Sequence, residues 1–447
     1  MKIKTVLSKL KRKLFATYEY NESIAEIEGK ILTLNELVQR QIIISENQAR
    51  LSASLSRRTA RSSGPLRCLF VVNNLNAWHA IDALVRKMSV DDDIDVIVVS
   101  ANKRFPGQEG YSGESEVHAF LDSRNIHHIR LGMSDSFQAL EIIMALLPDV
   151  IFRQSQWDVD YPPGLSSENL NFTRLAIVPY GICNIVENVT YTGEIANSAV
   201  DSLFHRRCWR VYCSTASMLA IAQRESVLQG RPFRVVGHPK VDYLLSVRPH
   251  WPFGVSHQHK VLWSPHHSIT QGWTDFGLFP AIWQSMLTIA RALTEVDFVF
   301  CPHPALMTQL TGDRSPVPAA DVEDFIRQWS ALPNCHQYYG AEYAAVAAAS
   351  DLIVTDGISM LLEGQLLKKE IVFTEREGHA PFNRLGNILR EGFHTISGTE
   401  DLQNTIMNLL SGKKTGLMEQ QNRNIELLFP IRNAVDNIIA DLKKMEA

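Results

Sequence analysis

Four short stretches carry residues able to hold an anion or move a proton, and each stands at the end of a predicted strand. They are Val236-Gly237-His238-Pro239-Lys240, Ser264-Pro265-His266-His267-Ser268, Cys301-Pro302-His303-Pro304, and the run from Asp351 through Thr355-Asp356-Gly357-Ile358-Ser359 to Glu363-Gly364. In the last, the apolar residues Leu352 to Val354 read as a buried strand that breaks at Thr355-Asp356-Gly357 and resumes in a helical pattern. A strand that turns through Gly into a helix aims backbone N–H groups and the positive dipole end at one place, which suits a phosphate. Ser359 adds a hydroxyl donor, and Glu363, one turn on, is in reach of a ribose hydroxyl. The plainer reading is an ordinary β-α turn capped by Thr355 or Asp356, and a lone His-Pro pair is often only a turn. Repetition shifts the balance. Adjacent strands of a parallel sheet bring their carboxyl ends together, so His266, His267, His303 and Ser359 are expected to converge on one pocket.

Such a pocket would bind a phosphorylated ligand. Histidine donates to phosphate oxygens, and neutralises charge when protonated, because its pKa lies near physiological pH. No GxxxxGK[ST] or GxGxxG is present, which argues against a P-loop kinase or a redox dinucleotide site. The absence of a GxSxG elbow argues against a serine hydrolase. The histidine motifs are far apart and lack cysteine or HExxH partners, so neither a metal site nor a cofactor is expected.

Bulk properties narrow the classes further. The chain has 447 residues, is 45% hydrophobic and 21% charged, and carries a net charge of −4. That is an ordinary globular composition, sufficient for two or three domains and without the positive field that nucleic acid would demand. The six cysteines (Cys68, Cys183, Cys208, Cys213, Cys301, Cys335) are scattered without a CxxC pair, as expected of reduced thiols in the cytoplasm. No apolar run approaches the ~18–20 residues of a membrane span, and the basic start lacks the apolar core of a signal peptide.

Residues 1–57 are predicted to be helical. Lys2, Lys4, Lys9, Lys11, Arg12 and Lys13 alternate with Ile3, Val6, Leu7, Leu10 and Leu14, a basic amphipathic pattern suited to an anionic membrane surface or to a partner. Over residues 21–56, Ile24, Ile27, Ile31, Leu34 and Val38 follow 3-4 spacing, and Leu37, Ile44 and Leu51 continue a seven-residue rhythm. This predicts a coiled-coil-like helix able to self-associate. Residues 58–65, rich in Arg, Ser, Gly and Pro, form a linker. From 66 the pattern alternates short β-branched strands with helices, which predicts parallel, doubly wound α/β sheets. Residues 66–247 form a first Rossmann-like domain, and 248–447 a second with a C-terminal helix. The loop Asn73 to His79 follows the first strand, at the edge where such folds bind ligands.

The set Ser264-Pro265-His266-His267-Ser268-Ile269, Cys301-Pro302-His303-Pro304-Ala305-Leu306 and Asp351 to Ser359 resembles the CDP-glycerol glycerophosphotransferase family, the teichoic-acid-type polymerases and their capsule and surface-glycan relatives. The resemblance spans roughly residues 177 to 397 and implies a GT-B fold, two Rossmann-like domains facing a cleft, with no essential metal. It implies a transferase that moves an alditol phosphate or sugar from a nucleotide-activated donor, CDP-linked in the family, to a lipid-linked or glycan acceptor at the inner membrane face. His303, Pro304, Thr355, Asp356, Gly357 and Ser359 would hold the donor, and Glu363 its ribose. Asn73, Tyr180 and Gly181 would line the acceptor side. Where the family has a His-Gly base, this chain has Tyr180-Gly181, and a tyrosine of pKa near ~10 is a poor base. The base is therefore sought among His238, His266 and His267, with His79 and Glu187 as further candidates. Two other readings are a sugar-nucleotide epimerase of GT-B-like fold and a non-catalytic scaffold of a glycan assembly complex.

Overall fold

The computed structural model describes residues 11, 27, 29–46, 48–52, 55, 64–104, 108–187, 197–254, 257–270, 272, 274–397, 401–412 and 416–444. The chain divides into two units, Met1–Ser62 and Ser63–Ala447. In the first, the described residues are helical, and Ile27, Ile31, Leu34, Leu37, Val38, Ile44 and Leu51 are all exposed. The basic stretch 1–14 and the linker 58–65 lie outside the described residues apart from residues 11, 64 and 65. Among the described residues no helix is long and apolar enough to cross a membrane.

The second unit holds two parallel sheets. The first is built from β1 (Leu66–Val72), β2 (Ile94–Ala101), β3 (Ile129–Leu131), β4 (Val150–Arg153), β5 (Arg174–Ile177), β6 (Arg210–Cys213) and β7 (Phe233–Val235), in the order β3-β2-β1-β4-β5-β6-β7. The second contains β8 (His259–Ser264), β9 (Val296–Phe300), β10 (Cys335–Gln337), β11 (Leu352–Thr355), β12 (Glu370–Glu375) and β13 (His394–Ser397), in the order β10-β9-β8-β11-β12-β13. Every strand pair is parallel, with Phe70 opposite Val98 and Phe152, and Thr355 opposite Ser264 and Phe373.

The physical cause is visible in the strands. Runs such as Leu69-Phe70-Val71-Val72 and Ile353-Val354 are buried without alternation, as strands covered by helices on both faces must be. Phe70 stacks on Phe152 with centroids 4.6 Å apart, and Trp263 lies between Phe279 and Trp329 at 5.7 and 5.6 Å. Each such aromatic contributes a few kcal/mol of burial, so truncation to Ala costs about 3–5 kcal/mol.

One feature departs from the sequence reading, and a second follows the expectation that the helical stretch from Gly416 onward packs back across the domain boundary. Strand β10 was not predicted, because Cys-His-Gln is a three-residue edge strand with no apolar run. The last helix, Ala434–Lys443, does not stay with residues 248–433. Its buried Ile438, Ile439 and Leu442 join the core under β1, and Asp441 accepts from Arg210 Nε at 2.8 Å and Tyr212 OH at 3.1 Å. The first Rossmann-like domain thus borrows its final helix from the chain's C-terminus.

Each sheet has one point where strand order reverses, between β1 and β4 in the first and between β8 and β11 in the second. Doubly wound folds bind ligands in the crevice beyond the strand ends at such points.

Candidate functional site

At the second sheet's reversal point, side chains tie the strand-end loops together. Thr355 Oγ1 donates to the Ser264 carbonyl at 2.6 Å and accepts from Gly357 N at 2.8 Å. The buried Asp356 carboxylate accepts from His266 N at 2.6 Å and from Leu278 N, the residue preceding helix Phe279–Ala292. His303 N donates to the Pro265 carbonyl at 3.0 Å. Asp356, assigned from sequence to the donor phosphates, is thus turned into the protein, and burial pushes its pKa up to about 7 against the pull of the two amides.

These ties bring three histidines into contact. The rings of His267 and His303 stack with centroids 4.1 Å apart, and His266 lies 4.4 Å from His267 and 5.5 Å from His303. Burial holds all three below their ordinary pKa, His267 at about 4, and the neighbouring rings depress His266 and His303 further. At neutral pH they are uncharged. Their hydrogen bonds assign the tautomers. Ser268 Oγ accepts from Phe276 N and Gly277 N, so its proton goes to His266 Nδ1, 2.7 Å away. His303 Nδ1 accepts from Ala305 N at 3.1 Å. In both rings Nε2 therefore carries the hydrogen, which makes it a donor to an incoming oxyanion.

Next to this cluster the helix Ile358–Leu366 starts at Gly357 with no side-chain cap, and Ser359 is exposed in its first turn. Two imidazole N–H donors beside an uncapped helix N-terminus are the kind of groups that hold an anion. Pro304 is exposed at its rim. Among the described residues no group of three or more His, Cys, Asp or Glu is placed to hold a metal ion.

Glu363 lies deeper than a surface ribose contact would. It is 3% exposed, with Oε1 accepting from Lys240 Nζ and Oε2 from Tyr343 OH, both at 2.6 Å. Lys240 belongs to the first domain, so this buried ion pair joins the two domains. Neither Lys240 nor Tyr343 was singled out from sequence. Lys240 stood inside a quoted motif, but its partner is 123 residues away.

His238 has both ring nitrogens committed. Nε2 donates to the Pro179 carbonyl at 2.8 Å, while Nδ1 accepts from Lys240 N at 3.1 Å, capping helix Pro239–Ser246. Fully buried and held at about 4, it supports the loop before Tyr180 and is not placed to take a proton from a ligand. His79 is also buried. It stacks on Tyr243 at 4.2 Å and donates from Nε2 to the Ala341 carbonyl of the second domain at 3.2 Å. Gly237, at φ +83°, makes the turn into His238, and a Cβ there would sit 3.1 Å from the Ile431 carbonyl oxygen.

On the first sheet, the reversal point is closed by Gln154. Its Oε1 accepts from Asn73 N and Asn74 N at 2.9 and 3.0 Å, and Nε2 donates back to the Asn74 carbonyl. Tyr180 is hydrogen-bonded to the Trp157 side chain, and burial raises its phenol above the ordinary value. A Cβ at Gly181 would meet nothing within 4 Å. A few residues on, Asn383 Nδ2 donates to the Asn184 and Val186 carbonyls at 2.9 and 3.1 Å, and Glu187 N donates to the Pro381 carbonyl at 2.6 Å. Glu187, a candidate base, is exposed at this junction.

No protein-family model and no curated protein matches the sequence. Solved structures do match. The UDP-GlcNAc 2-epimerase of Neisseria meningitidis, bound to UDP-GlcNAc, aligns over 85% of this chain and all of its own, with TM-score 0.57 and 14% identity. Staphylococcus aureus MnaA, in a co-structure with UDP, aligns over 85% of this chain and 96% of its own at TM-score 0.57 and 13% identity. A variant of the wall teichoic acid polymerase TagF aligns over 90% and 93% at TM-score 0.56 and 11% identity. The architecture of the second unit is therefore GT-B-like.

Proposed function

We propose that this chain is a GT-B transferase of surface-polysaccharide assembly, moving an alditol phosphate or a sugar from a nucleotide-activated donor, CDP-linked in first preference, to a lipid-linked or glycan acceptor. The observation that carries this reading is the pair of neutral Nε2–H donors, His266 and His303, beside the uncapped helix N-terminus at Gly357. Neutral donors suit a transferase that must release its nucleotide, since they stabilise the developing phosphate charge without holding the product as a fixed cation would. His267, stacked on His303, fixes that ring. Ser359 completes the diphosphate site, while Glu363, buried against Lys240 and Tyr343, holds the two domains together and does not reach the ligand. The test is nucleotide release from CDP- and UDP-linked donors, with CDP, CMP, UDP and GDP screened by thermal shift. His303→Ala should lower turnover by about 10²-fold, and undiminished turnover would refute the assignment.

A second reading is supported by the likeness to the UDP-GlcNAc 2-epimerase. A GT-B-like epimerase would use the same anion site and need no acceptor. Isomerisation of UDP-GlcNAc by the protein alone would select it. The exposed apolar row from Ile27 to Leu51 supports pairing with a second copy, which sedimentation of full-length protein and of a Leu34→Glu variant would test. The basic stretch 1–14 is assigned to an anionic membrane surface, tested by flotation with phosphatidylglycerol vesicles.

A further inference from the structure

With Tyr180 held protonated and His238 locked as a cap, the acceptor side needs another group to take a proton. Asp160 stands on the loop that follows β4, at the first sheet's reversal point. In sheet order β4 lies between β1 and β5. The loops after β1 and β5 both reach the second domain, through His79 to Ala341 and through Val186 and Glu187 to Pro381 and Asn383. The hydrogen bonds described for the β4 loop stay within the first domain. In sheet order Asp160 therefore stands on the loop between the two that bridge to the second domain.

Its backbone is fixed. The Asp160 carbonyl accepts from Arg104 N at 3.1 Å and from Asn73 Nδ2 at 3.4 Å, and its N donates to the Trp157 carbonyl at 3.2 Å. The carboxylate is different. One oxygen accepts from Ser155 Oγ at 3.0 Å, and no ion pair to Asp160 occurs among the described residues. The nearby Arg153 guanidinium is committed to Asp158 and to the Ser155 and Trp157 carbonyls. Neighbouring Asp158, by contrast, is locked by Arg153 and by Ser167 Oγ at 2.6 Å. Of these two carboxylates, only Asp160 keeps an oxygen without a described partner.

We propose that Asp160 is the proton acceptor of the transfer reaction, a role that rests on the transferase reading above. In the step, the acceptor hydroxyl gives its proton to Asp160 Oδ. Its oxygen lone pair forms the new bond to the transferred phosphorus or anomeric carbon. The bond from that centre to the nucleotide phosphate breaks, and the electron pair leaves with the nucleotide beside His266 and His303. Asp160 later returns its proton to solvent. Burial raises its pKa above the ordinary carboxylate value, opposed by Ser155, Arg153, Lys103 and Arg104, which brings it closer to the range of an effective base.

The test uses full-length protein with CDP-glycerol and UDP-GlcNAc, with and without a synthetic lipid-diphosphate-linked disaccharide. It follows nucleotide release, and CDP and UDP binding by calorimetry. Asp160→Asn should bind nucleotide as wild type does, lose about 10²–10⁴-fold in kcat, and lose the acidic limb of the kcat–pH profile. Asp160→Glu should restore part of the rate and shift that limb. If wild type turns over and Asp160→Asn stays within about threefold, or loses nucleotide binding in parallel with rate, the assignment to Asp160 is wrong while the transferase reading stands. If wild type neither binds nucleotide nor turns over, the transferase reading falls and takes this inference with it.

Discussion

Replacing Lys240 with methionine should cost as much as truncating a core aromatic, although it keeps most of the side chain's volume. The pair it forms with Glu363 is nearly dry, with side-chain exposures of 7% and 4%. Methionine keeps the apolar stem and removes the charge, leaving a buried carboxylate with only the Tyr343 hydroxyl. Breaking a buried pair by removing one partner costs about 3–5 kcal/mol, whereas replacing the whole polar group with apolar residues of similar volume is near neutral. Lys240→Met/Glu363→Leu should recover most of the loss but strand the Tyr343 hydroxyl, at about 1–3 kcal/mol. Adding Tyr343→Phe should bring stability back to within about 1 kcal/mol of wild type. Urea unfolding at pH 7 measures each step. A loss below about 1 kcal/mol in Lys240→Met, or a triple variant no more stable than the single one, would refute the claim that this pair is a desolvated interdomain lock.

Three further outcomes follow from the geometry. Gly386→Ala should loosen the domain junction, because its Cβ would lie 2.1 Å from the Ile185 carbonyl oxygen; limited proteolysis between the domains should accelerate, and unchanged cleavage would count against a rigid junction. Asp356→Ala removes the acceptor of two buried amides and should cost about 2–4 kcal/mol, two such groups at roughly 1–3 kcal/mol each with some recovery by water, again read from urea midpoints. Acidification should destabilise the fold. His205, His238 and His267, at about 4 when folded against 6.5 unfolded, leave the unfolded chain binding more protons, so each removes roughly 2 kcal/mol between pH 7 and 4.5. Asp356, raised to about 7, gives back about 3 kcal/mol over that range, so a net loss of a few kcal/mol is expected. An unchanged urea midpoint at pH 4.5 would contradict the depressed histidines.

The sheets were legible because their strands are apolar on both faces, so runs such as Leu69 to Val72 and Leu352 to Val354 stand out from the helices between them. Strand β10 was not, since an edge strand needs little apolar surface. The meeting of His266, His267 and His303 was legible for a topological reason: each motif ends a strand of one parallel sheet. What each group does there was not. Asp356 and Glu363 have the residue types of ligand contacts. Whether a carboxylate faces solvent, two amides or a lysine from the other domain depends on contacts across 78 to 123 residues, which no local spacing encodes. Asp160 escapes the sequence for the same reason: what distinguishes it from Asp158 is that Arg153 and Ser167 lock Asp158 while one Asp160 oxygen keeps no described partner.

The two reversal points share a construction that divides their labour. In each, a polar side chain from one strand end ties down the neighbouring loop, Gln154 on the amides of Asn73 and Asn74, and Thr355 on the Ser264 carbonyl. Tying the loops relieves the functional groups of structural duty. On the second sheet the freed groups are N–H donors, on His266, His303 and the first turn of a helix. On the first sheet the freed group is a carboxylate oxygen, and the nearby histidine is committed to a backbone carbonyl. The second sheet's reversal point thus offers donors and the first sheet's an acceptor. That polarity suits a reaction in which a proton leaves a hydroxyl on the first domain while negative charge gathers on a phosphate at the second. On the reaction proposed above, Asp160, one loop away, would supply the basicity that the phenol of Tyr180 lacks.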